Sequence, residues 1–141
     1  MNGTLYGVGV GPGDPELLTI KALRLIKENQ IIAVPGNDIQ KSVAYQIVKG
    51  AYEELDGKTL IPVAMPMTKD PKVLEENHKK AADDVEEYLK KGENVVFLTL
   101  GDPTVYSTYL YVHKRILERG YEASIISGIT SFTAVAARLN L

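Results

Sequence analysis

The stretch Val95-Val96-Phe97-Leu98-Thr99-Leu100, followed at once by Gly101-Asp102-Pro103, decides the fold class of this chain. The run before the glycine is apolar at almost every position, so neither face of the corresponding strand is polar. Strands of this kind are buried on both faces, as in parallel sheets that are covered by helices. The Gly-Asp-Pro turn then ends the run. We therefore predict a central strand over residues 95–100.

Short strand patterns and longer helical patterns alternate along the rest of the sequence. The predicted strands cover residues 5–10, 31–34, 59–63, 95–100 and 123–126. The predicted helices start near residue 18, after Ser42, at 71–91, at about 106–119 and after Ser131. Alternation of this kind indicates right-handed βαβ units. We predict one α/β domain over residues 1–141, with a mostly parallel five-stranded sheet and helices on both faces.

Two further expectations follow from single residues. Pro62 has no main-chain N–H, so its strand belongs at an edge of the sheet or ends there. The long helix over 71–91 carries charges around most of its circumference, and its packing stripe includes Ala81, Val85 and Leu89. We therefore expect the charges of this helix, which also carries His78, to lie at the surface.

Composition excludes several classes of function. The chain has 141 residues, a formal net charge of −2 and no cysteine, so disulfides, thiolate metal sites and a cysteine nucleophile are excluded. The acidic balance does not favour nucleic acid or an anionic membrane as a partner. The two histidines, His78 and His113, are far apart in the sequence, and we predict no metal site. With no signal peptide and no spanning apolar run, we expect a soluble, cytoplasmic protein.

Three loops, each at the end of a predicted strand, carry the candidate functional residues. They cover residues 9–14, 100–105 and 128–131. Ligands of parallel sheets bind at the carboxyl ends of the strands. Glycine lets the main chain approach a ligand closely, and a helix start such as Thr130-Ser131 offers free N–H groups to a carboxylate or carbonyl.

Two better-known loop types do not fit. Gly7, Gly9, Gly11 and Gly13 are two residues apart, so no register gives the G-x-G-x-x-G fingerprint of dinucleotide sites. Gly57-Lys58-Thr59 has the form of the end of a phosphate loop, but Tyr52 stands where the earlier glycine is required. We interpret that segment as a turn before a strand.

The three loops together resemble those of the tetrapyrrole methyltransferases, the class III enzymes that use S-adenosylmethionine (SAM). The matching segments are Val8-Gly9-Val10-Gly11-Pro12-Gly13-Asp14-Pro15-Glu16-Leu17-Leu18-Thr19, Gly101-Asp102-Pro103-Thr104-Val105-Tyr106-Ser107-Thr108 and Gly128-Ile129-Thr130-Ser131. The second segment looks closest to the C20-methyltransferases that act on precorrin-2 or cobalt-factor II in cobalamin synthesis. The usual Gly-Gly-Asp-Pro form of uroporphyrinogen-III methyltransferases is absent, since Leu100 replaces its first glycine.

The resemblance implies the site residues. It implies cofactor contacts, for SAM, at the following positions: Pro12, Leu100, Gly101, Asp102, Val105, Thr130 and Ser131. Asp102 and Tyr106 are the candidates for catalytic roles on the acceptor side. The acceptor carries many carboxylates, for which the candidate partners are Lys21, Arg24, Lys41, His113, Lys114 and Arg115.

The resemblance also implies an architecture larger than this chain. Its members have two α/β domains with SAM in the cleft between them, and they form homodimers. We therefore interpret residues 1–141 as the N-terminal domain, with the second domain absent and the fragment alone inactive. Tyr109, Tyr111 and Tyr121 are candidate interface aromatics.

Other functions stay open on the sequence alone. The alternative enzymatic function is the same fold acting on another acceptor, namely uroporphyrinogen III, ribosomal RNA or the diphthamide precursor. A module that binds SAM without catalysis is the non-enzymatic alternative. The sequence also leaves open whether the C20 acceptor already contains cobalt.

Overall fold

A single parallel sheet organises the molecule, as seen in a computed structural model that describes residues 1–66, 68–105 and 107–140. Within these residues the strands are β1 Thr4–Gly9, β2 Ile31–Pro35, β3 Thr59–Val63, β4 Val95–Thr99 and β5 Glu122–Ile126. Their order across the sheet is β3-β2-β4-β1-β5, and every neighbouring pair is parallel. The predicted parallel five-stranded sheet is confirmed.

Helices connect the strands and cover both faces of the sheet. The α-helices are α1 Ile20–Glu28, α2 Val43–Ala51, α3 Pro71–Lys90, α4 Tyr109–Glu118 and α5 Ser131–Arg138. Short 3-10 turns cover Pro15–Leu17, Ile39–Lys41 and Glu53–Gly57. The predicted helix over 106–119 begins later than expected, at Tyr109, whose N–H donates to the Ser107 hydroxyl at 3.0 Å.

The core is divided by β4, all of whose residues are buried. Val96 and Leu98 belong to the cluster that α1 and α2 cover, whereas Val95 and Phe97 belong to the cluster under α3 and α4. Side chains alternate between the faces of a strand, so a strand that is covered on both sides must be apolar throughout. This division explains the continuous apolar run in the sequence.

Pro62 lies where its missing N–H predicts. Its strand, β3, is at an edge of the sheet, and Pro62 pairs in register with Val34 of β2. An edge strand needs ladder hydrogen bonds on one side only, so a residue without a donor is accommodated there.

One expectation about side chains is wrong. Tyr109 is not an exposed interface residue, because it is fully buried and packs against Phe97 of β4. His78, on the charged helix α3, is also buried, and its ring stacks on that of Tyr111 of α4 with centroids 4.6 Å apart. The period of one helix alone reveals neither contact, because each is made with a different element.

None of the helices in the described part of the chain is both long enough and apolar enough to span a membrane.

Candidate cofactor site

The three predicted loops meet at the edge of the sheet that is formed by the carboxyl ends of the strands. They follow β4, β1 and β5, which are neighbours in the sheet. Pairing continues past the strand ends: the Val10 N–H donates to the Thr99 carbonyl at 2.9 Å. The main chains of Gly11 and Gly101 then bond to each other in both directions, at 3.2 and 2.8 Å. These bonds hold the first and second loops side by side.

Glycine is required where the loops touch. A Cβ atom on Gly9 would lie 2.5 Å from the Gly101 carbonyl oxygen and 2.8 Å from the Gly128 nitrogen. A Cβ on Gly128 would collide with the same carbonyl oxygen. Gly101 itself has a φ of +68°, a conformation that side chains disfavour. Thus one glycine from each loop permits main-chain contact among all of them.

Asp102 ties the second loop to the third. Its side chain is 8% exposed, and one carboxylate oxygen accepts from the Thr104 N–H at 2.8 Å and from the Thr104 hydroxyl at 2.6 Å. The other oxygen accepts from the Gly128 N–H at 3.0 Å. Burial by itself raises the pKa of Asp102, but the hydrogen bonds from Thr104, Gly128 and Ser127 outweigh it, so the pKa lies below its ordinary value. The group is therefore a carboxylate at neutral pH.

The loops enclose a cleft of about 360 Å³. Its lining consists of Pro12, Leu100, Gly101, Asp102, Val105, Thr130, Ser131 and Phe132. The structure thus brings together every residue that the resemblance implied for the cofactor. Phe132 was not among the predicted residues. It directly follows Thr130-Ser131 at the start of α5 and is exposed.

The chemistry of the lining is mixed. Leu100, Val105 and Phe132 supply an apolar wall. Thr130 caps α5 by accepting from the Thr133 N–H at 3.3 Å, and the other N–H groups of the first turn have no partner within the helix. An amphiphilic ligand with an apolar body and an anionic end fits such a lining, because a helix N-terminus attracts negative charge. The volume lies near the lower end of the roughly 300–1,000 Å³ that is usual for ligand pockets.

The remaining predicted residues lie elsewhere. Tyr106, the second catalytic candidate, lies outside the described residues. Lys21, Arg24, Lys41, His113, Lys114 and Arg115 do not line the cleft. Arg24 pairs with Glu28 on α1. His113 contacts the Tyr109 hydroxyl through Nδ1 at 2.9 Å, and burial lowers its pKa, which makes a neutral ring its main form at pH 7.

Fold and cleft together define a class of protein that binds a ligand at the carboxyl ends of a parallel sheet. The family model for tetrapyrrole (corrin/porphyrin) methylases matches residues 4–141 of this chain. The chain therefore belongs to the tetrapyrrole methylase family. This confirms the resemblance that the three loops carried.

Individual relatives agree with this assignment. The chain is 44% identical over 138 residues to a probable cobalt-precorrin-2 C(20)-methyltransferase of Methanocaldococcus jannaschii, covering 97% of this chain and 57% of that protein. It is 33% identical to the cobalt-precorrin-2 C(20)-methyltransferase of Salmonella typhimurium, covering 100% of this chain and 59% of that protein. The chain thus spans little more than half the length of these relatives.

A solved structure shows the same fold. It is a uroporphyrin-III C-methyltransferase from Thermus thermophilus complexed with S-adenyl homocysteine, with a TM-score of 0.66 and 28% identity. The alignment covers 95% of this chain and 52% of that one.

Proposed function

We propose that this chain is the SAM-binding N-terminal part of a methyltransferase that methylates C20 of precorrin-2 or its cobalt form in cobalamin biosynthesis. The observation that carries the proposal is the 44% identity with a probable cobalt-precorrin-2 C(20)-methyltransferase across 97% of this chain. Both the length of the match and the identity favour a C20 acceptor over the other acceptors that the fold permits.

The cleft supports SAM as the cofactor. When bound, the sulfonium of SAM supplies an electrophilic methyl group. We propose that Leu100, Val105 and Pro12 contact the apolar parts of the cofactor, and that the first turn of α5, at Thr130 and Ser131, receives its carboxylate. The N–H and carbonyl of Gly101 already bond to Gly11, so they are not free to bond to the cofactor. We propose that Gly101 contributes instead by having no side chain, which lets the cofactor approach its main chain.

Asp102 is better suited to positioning than to taking a proton. Its carboxylate accepts three hydrogen bonds from Thr104 and Gly128, and its pKa is lowered. A carboxylate whose pKa is lowered in this way is a weak proton acceptor at neutral pH. We propose that Asp102 holds the loops in register around the cofactor. An acceptor-side role for Tyr106 stays a prediction.

We further propose that a second domain completes the site in the full-length protein. Helix α5 has no buried residue in this chain, and its apolar side chains Phe132, which lines the cleft, and Val135 are exposed, as is Leu139 just after the helix. A domain that covers them would close the cleft and exclude water from it. The homodimer and the cytoplasmic location expected from the sequence stay predictions.

Methyl transfer to defined acceptors tests the function. The full-length protein is incubated with methyl-labelled SAM and, separately, precorrin-2, cobalt-precorrin-2, uroporphyrinogen III and ribosomal RNA. We expect label at C20 of a precorrin-2-type acceptor. Label in uroporphyrinogen III or RNA instead would replace the proposed acceptor, and SAM binding without transfer to any of them would indicate a non-catalytic module.

A pair of leucine variants tests the cofactor cleft. Leu100 lines the cleft and is 51% exposed, whereas Leu117 of α4 is 47% exposed and does not line it. Leu100→Glu places a charge against the cofactor, so we expect SAM affinity to fall at least about tenfold in calorimetry. Leu117→Glu is the control and should bind SAM like the wild type. Equal affinities for both variants would show that SAM does not occupy this cleft.

A further inference from the structure

A second and larger cavity lies between α3 and α4. Its volume is about 640 Å³, and it shares no lining residue with the cofactor cleft. We call it the α3–α4 cavity and define it by Lys69, Glu75, His78, Thr108, Tyr111 and Arg115, which are part of its lining.

The cavity and the cleft open at the same edge of the sheet. Thr108 follows Val105 of the cleft by three residues, and it lies at the N-terminus of α4. Its hydroxyl contacts the Met65 sulfur at 3.4 Å, which joins this segment to the residues that follow β3. The cavity is thus lined by residues at the starts of the two helices that follow β3 and β4.

An aromatic pair forms one wall of the cavity. The rings of His78 and Tyr111 are parallel within 5°, with centroids 4.6 Å apart. Burial, and then the nearby charge of Arg115, lower the pKa of His78, so the ring is mostly neutral at pH 7. A neutral, flat wall suits the apolar part of a ligand.

The cavity also concentrates positive charge in an acidic chain. Lys69 and Arg115 line it, and Arg115 is largely covered, whereas the chain as a whole has a net charge of −2. Arg115 Nη2 lies 2.5 Å from Glu75 Oε1, and the Glu75 side chain is mostly exposed. Glu75 therefore shows that a carboxylate fits against Arg115 here. An exposed side chain can leave that position at small cost, since exposed ion pairs contribute little.

We infer that the α3–α4 cavity binds a carboxylate-bearing arm of the methyl acceptor, with Arg115 and Lys69 as the cationic contacts and Glu75 as the group that this arm displaces. The inference rests on the proposed function, because it takes the acceptor to be a polycarboxylate macrocycle. It adds a second point of attachment, which would orient the acceptor relative to the cleft.

Charge variants in the full-length protein test the inference. The probe is cobalt-factor II, whose binding is followed anaerobically by its visible absorbance, and SAM affinity is measured separately by calorimetry. We expect Arg115→Gln and Lys69→Gln each to weaken cobalt-factor II binding about tenfold while SAM affinity is unchanged, because each removes a charged hydrogen-bond donor. Lys80→Gln is the matched control, since Lys80 forms an exposed ion pair with Asp84 outside the cavity.

Glu75→Gln separates ligand binding from a structural role. If Arg115 receives the acceptor, this variant frees the guanidinium and cobalt-factor II should bind as well as in the wild type or more tightly. If the Arg115–Glu75 pair only holds α3 against α4, Glu75→Gln should weaken binding as Arg115→Gln does. The second result would overturn the inference.

The remaining outcomes are also decisive. Wild-type affinity for cobalt-factor II in both cavity variants would overturn the inference and leave the proposed function intact. A changed oligomeric state of Arg115→Gln in sedimentation, with unchanged probe binding, would assign the cavity to contact between copies instead. If the wild type binds neither SAM nor cobalt-factor II, the proposed function fails together with the inference.

Discussion

At the scale of single residues, the cofactor cleft depends on the absence of side chains. Gly9, Gly101 and Gly128 each come from a different loop, and their main chains are in direct contact. A methyl group at the point of contact cannot be accommodated by a side-chain rotation, because its neighbours there are main-chain atoms. The loops would have to separate, and the cleft that they form would change shape.

We predict that Gly128→Ala is destabilising and impairs the cofactor site. Its Cβ would lie 2.9 Å from the Gly9 Cα and closer still to the Gly101 carbonyl oxygen. Overpacking of this kind costs about 1–3 kcal/mol of unfolding free energy. Urea denaturation measures the loss, and calorimetry should show weaker SAM binding in the full-length protein.

Gly13→Ala is the matched control in a neighbouring loop. A Cβ at Gly13 meets no atom within 4 Å. We expect its stability to be unchanged, or raised by up to about 1 kcal/mol, because alanine restricts the unfolded chain. Equal destabilisation by both variants would show that loop flexibility, and not the contact at Gly128, is responsible.

Asp102, at the same site, makes a contribution to the free energy of unfolding that depends on pH. Its folded pKa is lowered, so its stabilising effect is fully present above the unfolded pKa of about 3.9 and is lost as pH falls through the folded pKa. We predict that Asp102→Asn lowers the unfolding free energy at pH 7 by about 1–3 kcal/mol, because buried donors of Thr104 and Gly128 lose their charged acceptor.

The difference in unfolding free energy between wild type and Asp102→Asn should decrease as the pH falls. Urea denaturation of wild type and Asp102→Asn between pH 7 and pH 3 should show curves that converge below about pH 4. Other carboxylates titrate in both proteins and cancel in the difference. A constant difference down to pH 3 would mean that the charge of Asp102 does not contribute.

At the scale of elements, the helix starts differ in how well their N–H groups are satisfied. The Thr19 hydroxyl accepts from the Ala22 N–H at 3.1 Å and caps α1. Thr108 occupies the equivalent position of α4 but makes no capping hydrogen bond. A threonine at the position before a helix therefore does not by itself ensure a capping hydrogen bond.

This contrast makes the same substitution informative at two positions. We predict that Thr19→Ala lowers the unfolding free energy by about 1 kcal/mol, the usual loss for an N-cap. Thr108→Ala should lower it clearly less, since only the contact with the Met65 sulfur is removed. Thermal or urea unfolding of both variants checks the prediction, and equal losses would contradict the assignment of the caps.

At the scale of the whole molecule, the exposed apolar face of α5 is the feature that this chain does not explain by itself. The chain covers 57% and 59% of the lengths of two C20-methyltransferase relatives, and we propose that a second domain covers α5 in the full-length protein. A face that another domain covers should tolerate a charge only when that domain is absent.

A pair of valine variants tests this arrangement. Val135 of α5 is 51% exposed and Val43 of α2 is 52% exposed in this chain. Val135→Asp should leave the stability of residues 1–141 nearly unchanged but destabilise the full-length protein by about 1–3 kcal/mol, because it would bury an unpaired charge. Val43→Asp should have little effect on either, and at most a small gain from the helix dipole. Equal effects of Val135→Asp on the short and long proteins would exclude a covering domain at α5.

Much of the architecture was determined by local patterns. The apolar run over 95–100 predicted a strand buried on both faces, and β4 is central in the sheet. Pro62 predicted an edge strand because a missing donor is a property of the residue itself. The geometry of parallel strands predicted that the three loops lie at one edge of the sheet, since their carboxyl ends meet there. The individual cleft residues, apart from Phe132, were implied by the resemblance of these loops to those of the tetrapyrrole methyltransferases.

Only the tertiary structure decided which side chains face each other across elements. The sequence placed His78 on a charged helix and predicted Tyr109 at an interface, whereas His78 is buried against Tyr111 of α4 and Tyr109 is buried against Phe97 of β4. It also did not predict that Asp102 bonds to Gly128, which is 26 residues away. Periodicity and turn chemistry act within one element, so the sequence determined strands, helices and loops. Contacts such as these depend on the distance and angle between elements, and those are set by the packing of the whole core.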